Sequence, residues 1–340
     1  MKKEDMNSAN SRLVLVADIG GTNANFAVFD GPALQISANF KSGEIENFTD
    51  FIEKLIQNFN KEFSSSIGSV CIAAAGPISK NKKFCKLTNL QWSIDVDDIQ
   101  KRTGLDKAVL INDFEAIAHG IDVIDKKNII QIKKGEIEKR GTRVLLGAGT
   151  GLGKCTLISD EHTEKYRPIM SELGHVNASL SSGEDFQLAR FIQKKDKKEM
   201  VSWQDILSGR GIKNIYQFLQ STKTPISKYG KEIINSDYDQ SLISKYKYAD
   251  ELAGQTFQMF TKYYARCAKI VAMDSLAFGG VFIAGGIAAK NRDIFTREEF
   301  GFNKEFLDVR KLKEVLESIP VYVIDDYGVG LYGSASLLGA

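Results

Sequence analysis

Apolar residues in the first part of the chain form short runs and one longer helical repeat. The runs at residues 13–17, 70–75 and 109–111 each lead into glycine, proline or polar residues, which predicts buried strands. Between them, residues 48–63 place apolar side chains at three- and four-residue intervals, and this spacing predicts an amphipathic helix. Strands and helices are therefore expected to alternate.

The second half of the chain repeats this plan. Residues 144–146 enter a glycine-rich segment at 147–153, and residues 155–158 predict the returning strand. The repeat indicates two related α/β lobes that face each other across a cleft. A polar segment at 221–244 interrupts the helical middle of this half. The remaining predicted elements are two helical stretches, two strands and a terminal helix, at 183–218, 249–273, 281–284, 321–324 and from Tyr327.

Composition and charge narrow the possible functions. A chain of 340 residues can form two domains, and 45 basic against 43 acidic residues leave a net charge of +2. This balance predicts no nucleic-acid or membrane partner. The polar start of the chain carries no signal-peptide pattern, and the four widely spaced cysteines predict reduced thiols, so a cytoplasmic protein is expected.

Glycine is the unusual component, with 29 glycines against five prolines. Two turns lie between strands, the first glycine turn (Gly20, Gly21 and Thr22) and the second glycine turn (Gly149, Thr150 and Gly151). Backbone N–H groups in such turns can hold phosphate oxygens, although each turn alone could be an ordinary hairpin. The second turn is not a P-loop, because Ala148 and Cys155 replace residues that the motif requires, and no helix follows it as in a dinucleotide fold.

Two polar clusters are candidates for binding a hydroxyl substrate. Asp113 follows the strand at 109–111, where a carboxylate can take a proton from an alcohol; a helix N-cap is the alternative. Neighbouring Asn112 offers an amide donor and acceptor. Glu172 and His175 bracket a glycine and could converge on vicinal hydroxyls, although such pairs also occur on surfaces.

In combination and in order, these motifs resemble the actin, heat-shock chaperone and sugar-kinase superfamily and, within it, the bacterial ATP-dependent glucokinases. The resemblance extends from about residue 14 to residue 340. It implies two ribonuclease-H-like α/β lobes, a small domain of residues 1–112 with the terminal helix 327–340 and a large domain of residues 113–326. The motifs that carry it lie at 18–23, 74–78, 87–92, 111–114, 147–153, 172–175, 206–211 and 279–287.

The family also implies the reaction, phosphorylation of D-glucose by ATP at the 6-hydroxyl, with Asp113 as the general base. Mg²⁺ would act near Asp18 through water, with no direct protein ligand. A cytoplasmic homodimer that binds the sugar and ATP is expected. The implied sugar-binding residues are Asn89, Asn112, Glu172, His175 and Gln204. The implied nucleotide-binding residues are Asp18, Gly20, Gly21, Thr22, Asn23, Gly149, Thr150, Gly285 and Gly286.

Position 204 departs from the family pattern, which usually has glutamate there. Gln204 keeps the acceptor oxygen and loses the charge, so we expect altered sugar affinity. Alternatives are a kinase of another hexose or of an N-acetylated hexosamine, and a non-kinase ATPase of the same fold. The N-acetylhexosamine kinases usually carry a cysteine-rich motif after Gly174 and His175, and this chain has none there. A sugar-sensing regulator would need a helix-turn-helix ahead of the first strand.

Overall fold

Each half of the chain builds one mixed sheet that helices cover. The computed structural model describes residues 13–87, 90–160, 162–163, 165–222 and 226–340. The chain divides into unit 1, which runs to Ile124 and takes up Gly328–Ala340, and unit 2, Asp125–Tyr327. The sequence-based boundary after residue 112 assigned the helix at 113–120 to the second domain, whereas the structure includes that helix in unit 1.

Strands and helices are interspersed along the described chain, with a long helical stretch between residues 183 and 275. The strands are β1 Leu13–Ile19, β2 Asn23–Asp30, β3 Ala33–Lys41, β4 Ile67–Ala74, β5 Phe84–Lys86, β6 Ser93–Asp95, β7 Lys107–Asn112, β8 Ile129–Lys133, β9 Arg143–Ala148, β10 Leu152–Ser159, β11 Tyr166–Ser171, β12 Gly280–Ala284 and β13 Val321–Ile324. The α-helices are α1 Phe48–Glu62, α2 Val96–Thr103, α3 Asp113–Gly120, α4 Gly183–Asp196, α5 Gly209–Thr222, α6 Lys228–Asn235, α7 Gln240–Lys245, α8 Glu251–Ser275, α9 Gly286–Lys290, α10 Asp293–Thr296, α11 Phe302–Phe306, α12 Lys313–Ser318 and α13 Val329–Ser336.

The sheet of unit 1 has the order β3-β2-β1-β4-β7, and helices cover both of its faces. Strand β1 is apolar almost throughout because alternate side chains enter different cores. Leu15 and Ala17 pack in the core that includes α1 and α2. Val14 and Val16 pack on the other face, in the core that includes α3 and α13. Both faces of the strand are thus buried, as the apolar run predicts.

Two glycines bring α3 and α13 together, backbone against backbone. A Cβ atom added to Gly333 would lie 1.9 Å from the carbonyl oxygen of Ala116, and one added to Gly120 would lie 2.2 Å from that of Val329. Any side chain at these positions would force the helices apart. This close packing explains why α3 belongs to the same unit as the C-terminal helix.

Unit 2 repeats the topology with one more strand, in the order β11-β10-β9-β12-β13-β8. Strands β9, β10 and β11 form an antiparallel meander, and β12 and β13 then add in parallel to β9, as β4 and β7 add to β1. The repeated plan seen in the sequence is therefore present in both sheets. The four cysteines are buried and form no disulfide bonds with one another.

The middle of unit 2 is more helical than the sequence indicated. The predicted polar segment at 221–244 contains α6 and α7, and the predicted helical stretch at 183–218 divides into α4 and α5. Each of the two short helices buries one isoleucine, Ile233 and Ile243. Among the described residues, no helix has the length and apolar character that crossing a bilayer requires.

A buried ion pair joins α4 to α8 in the core of unit 2. The carboxylate of Asp185 accepts hydrogen bonds from the Ser181 and Ser182 N–H groups, the Arg266 guanidinium and the Tyr263 hydroxyl, all at 2.8–2.9 Å. Burial alone would raise the pKa of Asp185, but these hydrogen bonds outweigh it and hold the pKa well below its ordinary value of 3.8. Asp185 is therefore ionised in the folded protein at neutral pH.

Candidate functional site

The first glycine turn closes the hairpin between β1 and β2 at the edge of the unit 1 sheet. The Gly20 N–H group donates to the Asn23 carbonyl oxygen over 2.9 Å. Gly21 and Thr22 are exposed, and a Cβ atom added to Gly21 would meet nothing within 4 Å. The backbone of this turn is therefore open to the approach of a ligand.

Asp18 supplies a carboxylate directly before this turn. Its side chain is half-buried near the end of β1. Burial raises the pKa of the Asp18 carboxyl, and a hydrogen bond from Asn25 offsets part of that rise. Asn23, the first residue of β2, is fixed by β3. Its side-chain oxygen accepts a hydrogen bond from the ammonium group of Lys41, the last residue of β3, over 2.9 Å.

Parallel strands bring Asp113 to the same sheet edge as the first glycine turn. In the register of the sheet, Ile19 of β1 pairs with Ala74 of β4, and Ala74 pairs with Asn112 of β7. Gly20 is the residue after Ile19, and Asp113 is the residue after Asn112. Two strand spacings separate them, a distance of roughly 10 Å. The structure thus places a glycine turn and a carboxylate at one edge of the sheet.

The helix cap at this edge comes from Asn112 as well as from Asp113. The side-chain oxygen of Asn112 accepts from the Phe114 N–H group over 2.8 Å, and that of Asp113 accepts over 3.0 Å. Asn112 is the N-cap residue of α3, and Asp113 is its first residue. Burial and the charge of Asp113 raise the pKa of the nearby Cys85 thiol to about 11. Asp113 is half-buried beside this buried thiol.

The second glycine turn closes the corresponding hairpin of unit 2, between β9 and β10. The Gly149 N–H group donates to the Gly151 carbonyl oxygen over 2.8 Å, and the Gly209 N–H group at the start of α5 donates to the Gly149 carbonyl oxygen over 2.9 Å. The turn is therefore anchored by the first residue of a helix. Thr150 at its tip is exposed.

The third glycine turn (Gly285 and Gly286) lies beside the second. Strands β9 and β12 are parallel with Gly147 opposite Ala284, and a Cβ atom added to Gly285 would lie 2.8 Å from the Ala148 carbonyl oxygen. Exposed Tyr327 reaches the same place, since its hydroxyl donates to the Gly286 carbonyl oxygen over 3.4 Å. No sequence pattern singles out Tyr327 as a site residue, because its contact with Gly286 exists only in the folded chain.

Glu172, His175 and Gln204 come together next to the second glycine turn. The carboxylate of Glu172 lies 3.9 Å from Nε2 of His175, and both side chains are exposed. The carboxamide nitrogen of Gln204 lies 3.1 Å from Nδ1 of His175. With that nitrogen as donor, Nδ1 accepts, and the neutral imidazole carries its proton on Nε2. The oxygen of Gln204 is 3.1 Å from the position that a Cβ atom on Gly151 would take.

The predicted residues thus form one group in each unit. Unit 1 holds Asp18, the first glycine turn, Asn23, Asn112 and Asp113. Unit 2 holds the other two glycine turns with Glu172, His175 and Gln204. Asn89 lies outside the described residues. Within the described ranges, no group of three or more His, Cys, Asp or Glu side chains could hold a metal ion.

Comparison with known proteins identifies the family. The family model described as Glucokinase matches residues 15–340. This chain belongs to the glucokinase family. A glucokinase from Nostoc punctiforme is 30% identical over 342 residues, which cover 95% of this chain and 98% of that protein. As a family member, the chain is an ATP-dependent hexose kinase.

Solved structures show the same fold at lower identity. A Balamuthia mandrillaris glucokinase in complex with glucose is 20% identical with a TM-score of 0.79, covering 98% of this chain and 95% of that chain. A ROK family glucokinase from Streptomyces griseus in complex with glucose and AMPPNP is 18% identical with a TM-score of 0.65, covering 96% and 98%. The predicted class, two ribonuclease-H-like α/β lobes, is confirmed.

Proposed function

We propose that this glucokinase-family protein transfers the γ-phosphoryl group of ATP to the 6-hydroxyl of D-glucose, with Asp113 as the general base. The observation that carries the proposal is the shared edge of the unit 1 sheet, where Asp113 and the first glycine turn lie roughly 10 Å apart. Phosphoryl transfer needs an aligned hydroxyl, a carboxylate to accept its proton and dipoles to stabilise the phosphate charge.

The three glycine turns are proposed to bind the nucleotide. The first and second turns, with Asn23, would hold phosphate oxygens through backbone N–H groups. The third turn would hold the adenosine. Its position beside the second turn supports this assignment, because the adenosine and the phosphates of one nucleotide are covalently joined and must bind to neighbouring sites. The exposed ring of Tyr327 could pack against the nucleotide at that turn.

Sugar binding is assigned to Asn89, Asn112, Glu172, His175 and Gln204. His175 has the geometry of a hydroxyl donor, because Gln204 occupies Nδ1 and leaves the proton on Nε2. Glu172 is an exposed acceptor beside it. A neighbouring donor and acceptor suit the vicinal hydroxyls of a hexose.

The Asp18 carboxylate supplies the kind of oxygen that fits Mg²⁺ carried by ATP, through a bound water. Magnesium prefers oxygen ligands, keeps several waters, and is usually held by one or two carboxylates together with substrate phosphates. Asp18 offers one half-buried carboxylate directly before the first glycine turn. When bound, the ion would neutralise negative charge on the β- and γ-phosphates.

The chain's own residues then account for the chemical step. A carboxylate oxygen of Asp113 accepts the proton of the 6-hydroxyl as the 6-hydroxyl oxygen of the sugar forms a bond to the γ-phosphorus. The bond from the γ-phosphorus to the bridging oxygen breaks, and ADP leaves with that electron pair. N–H groups of the glycine turns stabilise the phosphate charge throughout.

A coupled ADP-release assay with and without sugar tests the proposal. The panel contains glucose, mannose, other hexoses and N-acetylhexosamines, each at equal concentration with Mg²⁺ and ATP. We expect ADP release to require sugar and to be fastest with glucose. Sugar-independent release would indicate an ATPase, and faster release with an N-acetylhexosamine would assign the alternative kinase activity.

The family resemblance also leads us to propose a cytoplasmic homodimer. Analytical ultracentrifugation would give a mass of about twice 37.7 kDa if the dimer forms. A sedimenting species of monomer mass would contradict it. Cell fractionation with detection of the full chain would test the location.

A further inference from the structure

Ser42 makes two hydrogen bonds to the backbone of the first glycine turn. It lies in a 3-10 segment, Ser42–Glu44, that follows β3, and its side chain is fully buried. The hydroxyl donates to the Gly20 carbonyl oxygen over 2.7 Å, and the N–H group donates to the Thr22 carbonyl oxygen over 3.0 Å. One serine therefore holds both ends of the turn.

These bonds decide which polar atoms the turn presents. Carbonyl oxygens carry partial negative charge and would repel a phosphate, whereas N–H groups attract it. Ser42 draws the carbonyl oxygens of Gly20 and Thr22 toward the protein interior. Gly21 and Thr22 stay exposed. Ser42 thus favours the orientation that an anion-binding turn needs.

Trp92 fixes Ser42 from the other side. Its indole N–H group donates to the Ser42 carbonyl oxygen over 3.1 Å. The indole stacks on the ring of Phe48, with centroids 4.9 Å apart and planes 17° apart, and both side chains are buried. The first glycine turn is therefore connected through Ser42 and Trp92 to the hydrophobic core of unit 1.

We propose that Ser42 is a positioning residue for phosphate binding at the first glycine turn and that Trp92 holds Ser42 in place. The inference rests on the proposed role of this turn in nucleotide binding. Ser42 need not touch the nucleotide, because it acts through the backbone of Gly20 and Thr22. Its loss should weaken the binding of phosphates more than the binding of adenosine.

Ser42→Ala and Trp92→Phe test this inference in the full-length protein. Alanine removes the hydroxyl donor, and phenylalanine keeps an aromatic ring on Phe48 while removing the N–H donor. We expect both variants to raise the dissociation constant of MgATP, by about two- to tenfold for one lost hydrogen bond. The inhibition constant of adenosine and the KM for glucose should stay at the wild-type values.

Ser336→Ala is the matched control. Its hydroxyl also donates to a backbone carbonyl oxygen of unit 1, that of Gly333 over 2.8 Å, but within α13. This variant should bind MgATP and adenosine like the wild type.

Two results would overturn the inference. Unchanged MgATP affinity in both variants would show that the hydrogen bonds do not position the turn. Equal weakening of MgATP and adenosine would show a merely structural role. If Ser42→Ala does not fold, Trp92→Phe decides between these outcomes. Failure of the proposed function would look different, since the wild type would then lack sugar-dependent ADP release or affinity for MgATP.

Discussion

The position of the third glycine turn against the second predicts the effect of substituting Gly285. Its φ of 92° and ψ of 164° lie in a region that residues with a Cβ atom rarely adopt. Holding alanine there costs of the order of 1–3 kcal/mol. The added Cβ atom would also lie 2.8 Å from the Ala148 carbonyl oxygen, so the backbone before the second glycine turn must move.

We therefore expect Gly285→Ala to lower the free energy of unfolding by at least the backbone cost and to raise the KM for ATP. For a folding unit of about 200 residues, 1 kcal/mol shifts Tm by roughly 2–4 °C, so Tm should fall by about 2–12 °C. Circular dichroism measures Tm, and the coupled ADP-release assay measures the KM.

Gly286→Ala is the matched control for stability. A Cβ atom there would have its nearest neighbour at 3.8 Å, on Tyr327, and the residue begins α9. Alanine should leave Tm unchanged or raise it slightly, because it favours helix over glycine by about 1 kcal/mol. An unchanged Tm in Gly285→Ala, or an equal loss in Gly286→Ala, would refute the reasoning.

Three further predictions concern single side chains of unit 2. His175→Ala should raise the KM for glucose, and an unchanged KM for every sugar tested would remove it from the pocket. Gln204→Glu should strengthen glucose binding in calorimetry; no change would mean that this side chain does not contact the sugar. Asp185→Asn should lower the free energy of unfolding at neutral pH by about 3–5 kcal/mol, because Arg266 loses its buried partner. Since folding depresses the pKa of Asp185, its contribution is complete above pH 3.8 and declines below it. Chemical denaturation should therefore show a constant difference from wild type above that pH and a shrinking one below it.

Strands were predictable where both faces of a strand are buried. The runs at 281–284 and 321–324 match β12 and β13 to within one residue, because every position there is apolar and covered. The short helices α6 and α7 were not predictable, since each buries few side chains and depends on tertiary packing. Their caps, Ser227 and Asp239, lie within a polar segment that also suits a loop.

The candidate site was predictable where strand ends determine it. Glycine turns and Asp113 follow apolar runs, so their place at the sheet edge follows from the topology. Contacts between distant segments could not be predicted. Gln204 reaches His175 across 29 positions, and Ser42 reaches Gly20 across 22. No spacing pattern in the sequence marks Gln204 or Ser42 as making such a contact.

Replacement of Asp113 tests the proposed mechanism most directly. In Asp113→Ala, with Asp113→Asn as the near-isosteric comparison, we expect kcat for glucose phosphorylation to fall by at least about 10²–10⁴-fold, the contribution typical of a general base. The dissociation constant of MgATP should stay near the wild-type value, because the glycine turns are intact. Phosphorylation of glucose at near wild-type kcat in both variants would contradict the assignment of Asp113 as the base.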